Sequence, residues 1–514
     1  MNKFNAKNLI NHKRLDVIVK YLFAKEILEH NDYTTDCYKD LYIRHILMRT
    51  MGIEPIDLKG NVSSKCKIDD YLESFNNLIQ DIKNNGYDKD FPIPIANNGL
   101  LSNGAHRLAA SLALGNDVCI EPAEIGFGWG FDWFCQNGFN TEDKQRILKG
   151  FVDTKAENCS IFVVWNPLFK YLDNVKSIIN KYFDIVGDVE LDFEDNYIAF
   201  TNVILEIYEP NISKTNDETV ILEKAKLLQA SYLNFKVIVV TNQDKNQDKD
   251  IFELTKACKD EIRNLFNHVL PKECFCTVHS SDCEAETKYL AAILLSPNNI
   301  KHLKMRLSTE YANNFVQEVR SLSRFLQTKG IPSNEVSVIG TGVLTALGIQ
   351  KEFNSDIDFI IDHKYRENYG WGAVKLSDKY DIGVSSKLAN GPIHDNIIIY
   401  NDEYHFWFKG IKFANLEIIK DRKSVNPRPK DLIHLRQIEL FEKMTGNINQ
   451  QKILMERIEI EKQRRFQLQS PIVNSKVSYS NYLEKIFSVK NEISNNRKYK
   501  VLTVLGIKFK FKKG

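Results

Sequence analysis

One stretch limits the folds open to this chain more than any other: VSVIGTGVLTALGIQKEFNSDIDFII, residues 336–361. VSVI is a short apolar run suited to a buried strand. Gly340-Thr341 closes it and opens a helix whose first backbone N–H groups lack intrahelical partners, a ready seat for phosphate. Beyond the helix, Asp356 and Asp358 alternate with apolar residues, so a strand there carries both carboxylates on one face. Two carboxylates so placed hold a divalent cation such as Mg²⁺, which bridges phosphates and activates an incoming oxygen.

The segment resembles the DNA-polymerase-β nucleotidyltransferase superfamily, whose pattern is an apolar residue, Gly, Gly or Ser, a short helix and then Asp-apolar-Asp-apolar. The resemblance covers residues 311–445. Thr341 stands where Ser is usual, and fourteen residues separate it from Asp356. The resemblance implies catalytic Asp356 and Asp358 holding Mg²⁺, with ATP or another NTP at Gly340 and Thr341. The downstream run YHFWFKGIKFANLEIIKDRKSVNPRPKDLIHL is similar to the superfamily's ending and sets Lys420 and Lys430 near phosphate. Asp395, Asp402 and Glu417 are the candidates for a third carboxylate, and Asp431 follows two prolines as an N-cap.

A second junction, SNGAHRLAASLALG, passes from a strand through glycine into a helix ending at Gly115. Main-chain N–H groups at Asn103 and Gly104, the His106 imidazole and the Arg107 guanidinium would together cradle a nucleotide phosphate. A buried His-Arg pair capping the helix is the structural alternative. The stretch resembles the Gly-x-His-Arg box of the ParB/sulfiredoxin-like superfamily, which implies His106 and Arg107 as catalytic, phosphate-binding groups. Ala105 replaces the reactive cysteine of sulfiredoxins, so sulfinic acid repair is not expected. Asp16 and Glu26 on the first helix are the candidate bases.

Between these lies a region of alternating strands (IFVVW, YIAFTNVILEIYE, FKVIVVT) and helices. Cys274, Cys276, His279 and Cys283 are close enough to suggest zinc, but on an extended ECFCTVH the cysteines and His279 face opposite sides. His279 and Asp282 fit better as a base and its partner at a strand end, with Asp282 or Ser281 capping the following helix. Lys256, Lys259 and Arg263 share one face of a nearby helix, where solvation is the simpler reading.

The resulting fold class is α/β and α+β, multidomain. It comprises a ParB/sulfiredoxin-like module (1–145), a central α/β domain (150–310), a nucleotidyltransferase-like module (311–445), and a charged helix with a basic tail (446–514). No run reaches the 18 apolar residues of a membrane helix, and the start lacks a signal peptide's apolar core. Nine unevenly spaced cysteines read as reduced thiols, so a cytoplasmic location is expected. Residues 485–514 hold nine Lys/Arg against one acid, which turns a net charge of +2 into −6 for the remainder. An acidic body disfavours stable nucleic-acid binding. In the tail, Leu505, Ile507, Phe509 and Phe511 oppose Lys508, Lys510 and Lys512 in a strand-like register.

That ending resembles those of bacterial capsule and lipopolysaccharide biosynthesis enzymes. The expected activity is nucleotidyl or phosphoryl transfer to a small molecule or sugar phosphate, with the tail at the inner membrane or on polysaccharide assembly enzymes. Two other classes compete: a nucleic-acid-binding or nucleic-acid-modifying protein, and a noncatalytic scaffold with degenerate nucleotide folds.

Overall fold

The computed structural model describes residues 3–29, 37–50, 65, 67–215, 217–229, 232–242, 244–246, 248–266, 277–389 and 393–445, and the backbone of 487–494, 497–504 and 507–512. Residues 1–455 form one compact unit and residues 456–514 a second. The chain is mixed α/β, built on several small sheets. Among the described residues no helix is long and apolar enough to cross a membrane.

The first module pairs strands β1 (Lys3–Asn5), β2 (Ile93–Ala96) and β3 (Asp117–Ala123) in the order β1-β3-β2. Helices Leu15–Glu29, Cys37–Thr50 and Ile68–Asn85 accompany the helix Ala105–Leu114, which Gly104 starts at φ 84° and Gly115 ends in the left-handed region. Both positions favour glycine because a Cβ strains there. The aromatic run 126–139 contains the helix Phe131–Gln136.

The central region builds an antiparallel sheet, β5-β6-β4-β7, from β4 (Cys159–Trp165), β5 (Asp184–Asp192), β6 (Asn234–Thr241) and β7 (Val278–Ser280). Alternation along β4 sends Ile161, Val163 and Trp165 into the core shared with the first module, and Phe162 and Val164 into a core on the other face. YIAFTNVILEIYE is not a strand: Tyr197–Ile207 is a helix, almost every residue of it buried. A helix apolar all round carries no 3.6-residue stripe, so its β-branched residues read as a strand.

The third region orders its sheet β10-β11-β9-β8-β13-β12, from β8 (Val336–Val338), β9 (Ile357–Ile361), β10 (Val374–Lys375), β11 (Tyr380–Ile382), β12 (His405–Phe408) and β13 (Ile411–Ala414). β9 runs antiparallel to β8 and parallel to β11, with Asp358 beside Asp381. The helices Asn313–Thr328, Leu416–Ser424 and Pro429–Thr445 supply apolar residues to its core. Asp431 is not the N-cap expected. It lies inside the last helix and reaches back to accept Arg428 N at 3.2 Å. Buried polar contacts tie this region to the preceding ones, among them the Arg320–Glu209 ion pair at 2.6 Å and the Lys409 N–H donating to Glu206 Oε2 at 3.0 Å.

The second unit contains an antiparallel meander of β14 (Phe487–Ser494), β15 (Arg497–Val504) and β16 (Ile507–Lys512). Ile507 and Phe509 stand opposite Val504 and Leu502, in the strand register the alternation predicts. Leu505 and the expected charged helix lie outside the described residues.

Candidate active site

Gly340 turns the chain from β8 toward the helix Thr341–Ala346 with φ 73° and ψ −142°, a conformation closed to residues with a Cβ. Space demands glycine as well: a Cβ at Gly340 would stand 3.0 Å from Asp358 Oδ2. The Ile339 N–H donates to Asp358 O at 2.8 Å, which locks this turn onto β9. The sequence motif therefore becomes one tight corner, with Gly340 against the Asp358 carboxylate and Thr341 as the first helical residue.

Asp356 directly precedes β9, Asp358 lies within it and Asp381 lies within β11. One carboxylate oxygen from each falls within 4.8 Å of the others, and all three are partly buried. Burial, then the charges of Asp356 and Asp381, push the Asp358 carboxyl up to about 6. Burial and Asp356 also raise Asp381, whose Oδ1 is buried without a hydrogen-bond partner among the described residues. Like charges this close disfavour ionisation of each other, and a cation would reverse that penalty.

The third carboxylate is thus Asp381, which the sequence reading missed. Parallel pairing of β11 with β9 brings it in, and the clue is Tyr-Asp-Ile, a carboxylate inside a short apolar strand. The three residues considered instead are engaged elsewhere. Asp395 is fully buried and accepts Ser386 N at 3.1 Å, Asp402 pairs with Lys149 and His405, and Glu417 pairs with Lys301 at 3.2 Å.

Cations border the triad. Lys430 and Lys423 both act to lower Asp358, and Arg422 and Arg428 respond to its charge. Lys430 is exposed, while Lys423 bonds Asp431 at 2.9 Å. Lys420 pairs with Glu442 at 2.7 Å, an ion pair at the helix surface.

The other expected residues have different surroundings. His106 Nε2 lies 3.0 Å from the Tyr42 hydroxyl, and its ring meets Phe75 edge-on at 4.8 Å. Arg107 donates Nη1 to the carbonyls of Phe91 and, at 3.1 Å, Pro92, pinning the approach to β2. The Asn103 side chain accepts Gly104 N at 2.7 Å. Asp16 is clasped by Arg14 and Lys20, and Glu26 accepts Lys39 N at 3.1 Å, so neither stands as a free base.

His279 pairs with Glu286 at 3.3 Å, and Asp282 pairs with Lys259 instead. Cys283 is the N-cap of the helix Glu284–Leu294, in place of Asp282 or Ser281, and Asp282 N donates to Glu286 at 2.7 Å. Arg263 donates to Val278 O at 3.1 Å, and Lys256 is exposed. Cys274 and Cys276 lie outside the described residues.

No family model, no curated protein and no solved structure matches this chain.

Proposed function

We propose that the protein is a nucleotide-dependent transferase whose chemistry is nucleotidyl transfer from an NTP to a small molecule or sugar phosphate. The observation that carries this reading is the convergence of Asp356, Asp358 and Asp381 beside the Gly340 turn. The donor set fits a hard divalent cation: three carboxylates, one with an orphaned buried oxygen, and no nitrogen or sulfur ligand among them. Asp356, Asp358 and Asp381 would hold Mg²⁺. The ion would supply charge neutralisation for the nucleotide phosphates and lower the proton affinity of an attacking oxygen.

The chain's own groups then have defined tasks. Backbone N–H groups around Gly340 and Thr341 receive phosphate oxygens. Lys430 and Arg428, exposed on the rim, draw the triphosphate in and orient it. With pyrophosphate as leaving group, the acceptor oxygen forms a new bond to the α-phosphorus as the α–β bridging bond breaks. The tail's ending supports surface-polysaccharide biosynthesis as the setting, with contact at the inner membrane or an assembly enzyme.

The test incubates the protein and Mg²⁺ with each NTP and a panel of sugar phosphates, following pyrophosphate and ADP separately. Pyrophosphate release that Asp356→Asn with Asp358→Asn abolishes is the expected result. Turnover that survives the double substitution, or ADP as sole product, overturns it.

A further inference from the structure

Three helices begin at one cleft of about 380 Å³ that the aspartate triad does not line. Glu142 stands in the first turn of Thr141–Lys155, Pro297 and Asn298 open Pro297–Met305, and Asn415 and Glu417 open Leu416–Ser424. Segments far apart in the chain thus form its walls, and its volume falls in the range of small-molecule sites.

The inner wall is a fixed polar network. Arg146 donates Nε to Glu403 Oε1 at 2.9 Å, with both side chains mostly buried. Asn298 and Asn415, both buried, exchange amide hydrogen bonds at 3.0 and 3.2 Å. Asn298 also donates to His405 O at 2.7 Å, and Asn415 to Glu403 O at 2.8 Å. Groups held this way bind a ligand without first being ordered. Exposed residues make the rim: Lys301 Nζ lies 3.2 Å from Glu417 Oε1, Glu142 Oε2 lies 3.5 Å from Arg146 Nη1, and Asp421 adds another carboxylate.

The lining sets four carboxylates against two cations, a balance that repels phosphate. Three of those carboxylates already answer the two cations. What the cleft offers is therefore hydrogen-bonding capacity: carboxylates have about four acceptor sites each, and Lys301 has three N–H donors. A hydroxyl both donates and accepts, so a neutral compound with several hydroxyls meets carboxylate and cation alike. Pro297, Ile393, Tyr404 and Ile418 add carbon surface to the lining, which suits the C–H face of a sugar ring.

We propose that this cleft binds a neutral sugar, a pyranose without phosphate, at a site separate from the aspartate triad. The inference rests on the cleft's lining and stands whether or not the triad transfers nucleotides.

The probes are glucose, galactose and N-acetylglucosamine, each titrated into the full-length protein at pH 7 without nucleotide or metal and followed by saturation-transfer difference NMR. Saturable binding of at least one of the three is expected, and inorganic phosphate should not displace it. Lys301→Ala with Asp421→Ala, both at exposed positions, should weaken binding at least about tenfold, the loss expected when hydrogen bonds to charged groups are removed. Asp358→Asn should leave it unchanged, even where that substitution abolishes pyrophosphate release. No saturable binding of any of the three sugars overturns the proposal, and so does displacement by phosphate. Full affinity in the folded Lys301→Ala, Asp421→Ala variant also overturns it, as does loss of binding in Asp358→Asn, which would place the sugar at the triad.

Discussion

Asp16 and Asp358 are the same residue type, each held away from bulk water, and the chain treats them in opposite ways. Two cations clasp Asp16, and despite its burial they hold the carboxyl far below the usual carboxylate range. Asp358 faces two further carboxylates and is pushed up to about 6. The first arrangement is complete without a ligand. The second is incomplete: a protein that sets three aspartates within 4.8 Å gains nothing for stability, because like charges repel. Pairing marks a structural charge, and crowding of one sign marks a charge reserved for something else.

The sharpest way to break that contrast is to neutralise each site. Asp358→Asn or Asp381→Asn should lower Mg²⁺-dependent pyrophosphate release by about 10²–10³-fold or more, the range set by losing one transition-state contact. Asp16→Ala should leave the Arg14 and Lys20 charges buried without their partner. That should cost about 3–5 kcal/mol in denaturant unfolding. If Asp16→Ala is tolerated while Asp358→Asn unfolds the protein, the contrast is reversed.

Stability against pH separates the two sites further. The Asp358 carboxyl titrates near 6 when folded and near 3.9 when unfolded. Between those values the folded chain binds the extra proton, so metal-free stability should fall as pH rises from about 4 to 6. Asp358→Asn should then raise metal-free stability at pH 7 by about 1–2 kcal/mol and flatten that slope, measured by urea midpoints. The Asp16 carboxyl has the opposite sign. Its folded value is depressed, so its contribution is present above the unfolded value and is lost only at more acidic pH.

The smallest effects concern the rim. Lys430→Ala should raise KM for the nucleotide severalfold with a smaller change in kcat, because an exposed cation steers and orients. Lys420→Ala should change stability by no more than about 0.5 kcal/mol and activity little, since Lys420 sits in an exposed pair with Glu442.

Residues adjacent in sequence were the legible part of this site. Gly340, Thr341, Asp356 and Asp358 could be read together because one strand–turn–helix–strand unit carries them, and local periodicity encodes such units. Asp381 could not, because it joins through parallel pairing of β11 with β9, a long-range register that no local pattern specifies. The same limit explains Asp395, Asp402 and Glu417, the candidates for a third carboxylate: Asp402 and Glu417 find their partners in distant segments, Lys149 and Lys301. In the first module the strand and helix around Gly104 follow the sequence, yet the directions of His106 and Arg107 depend on Tyr42, Phe75 and the carbonyls before β2. The buried helix Tyr197–Ile207 read as a strand because burial on every side erases the polar face that distinguishes a helix.

Whether three aspartates form a cation site is tested most directly by titrating Mn²⁺, a spectroscopic substitute for Mg²⁺, into metal-free protein at pH 7 and counting bound ions by electron paramagnetic resonance. The prediction is a saturable Mn²⁺ site that Mg²⁺ displaces, lost in Asp358→Asn and in Asp381→Asn and retained in Asp395→Asn. Equal Mn²⁺ binding by the unsubstituted protein and the Asp358→Asn variant, or no saturable binding by either, would contradict it.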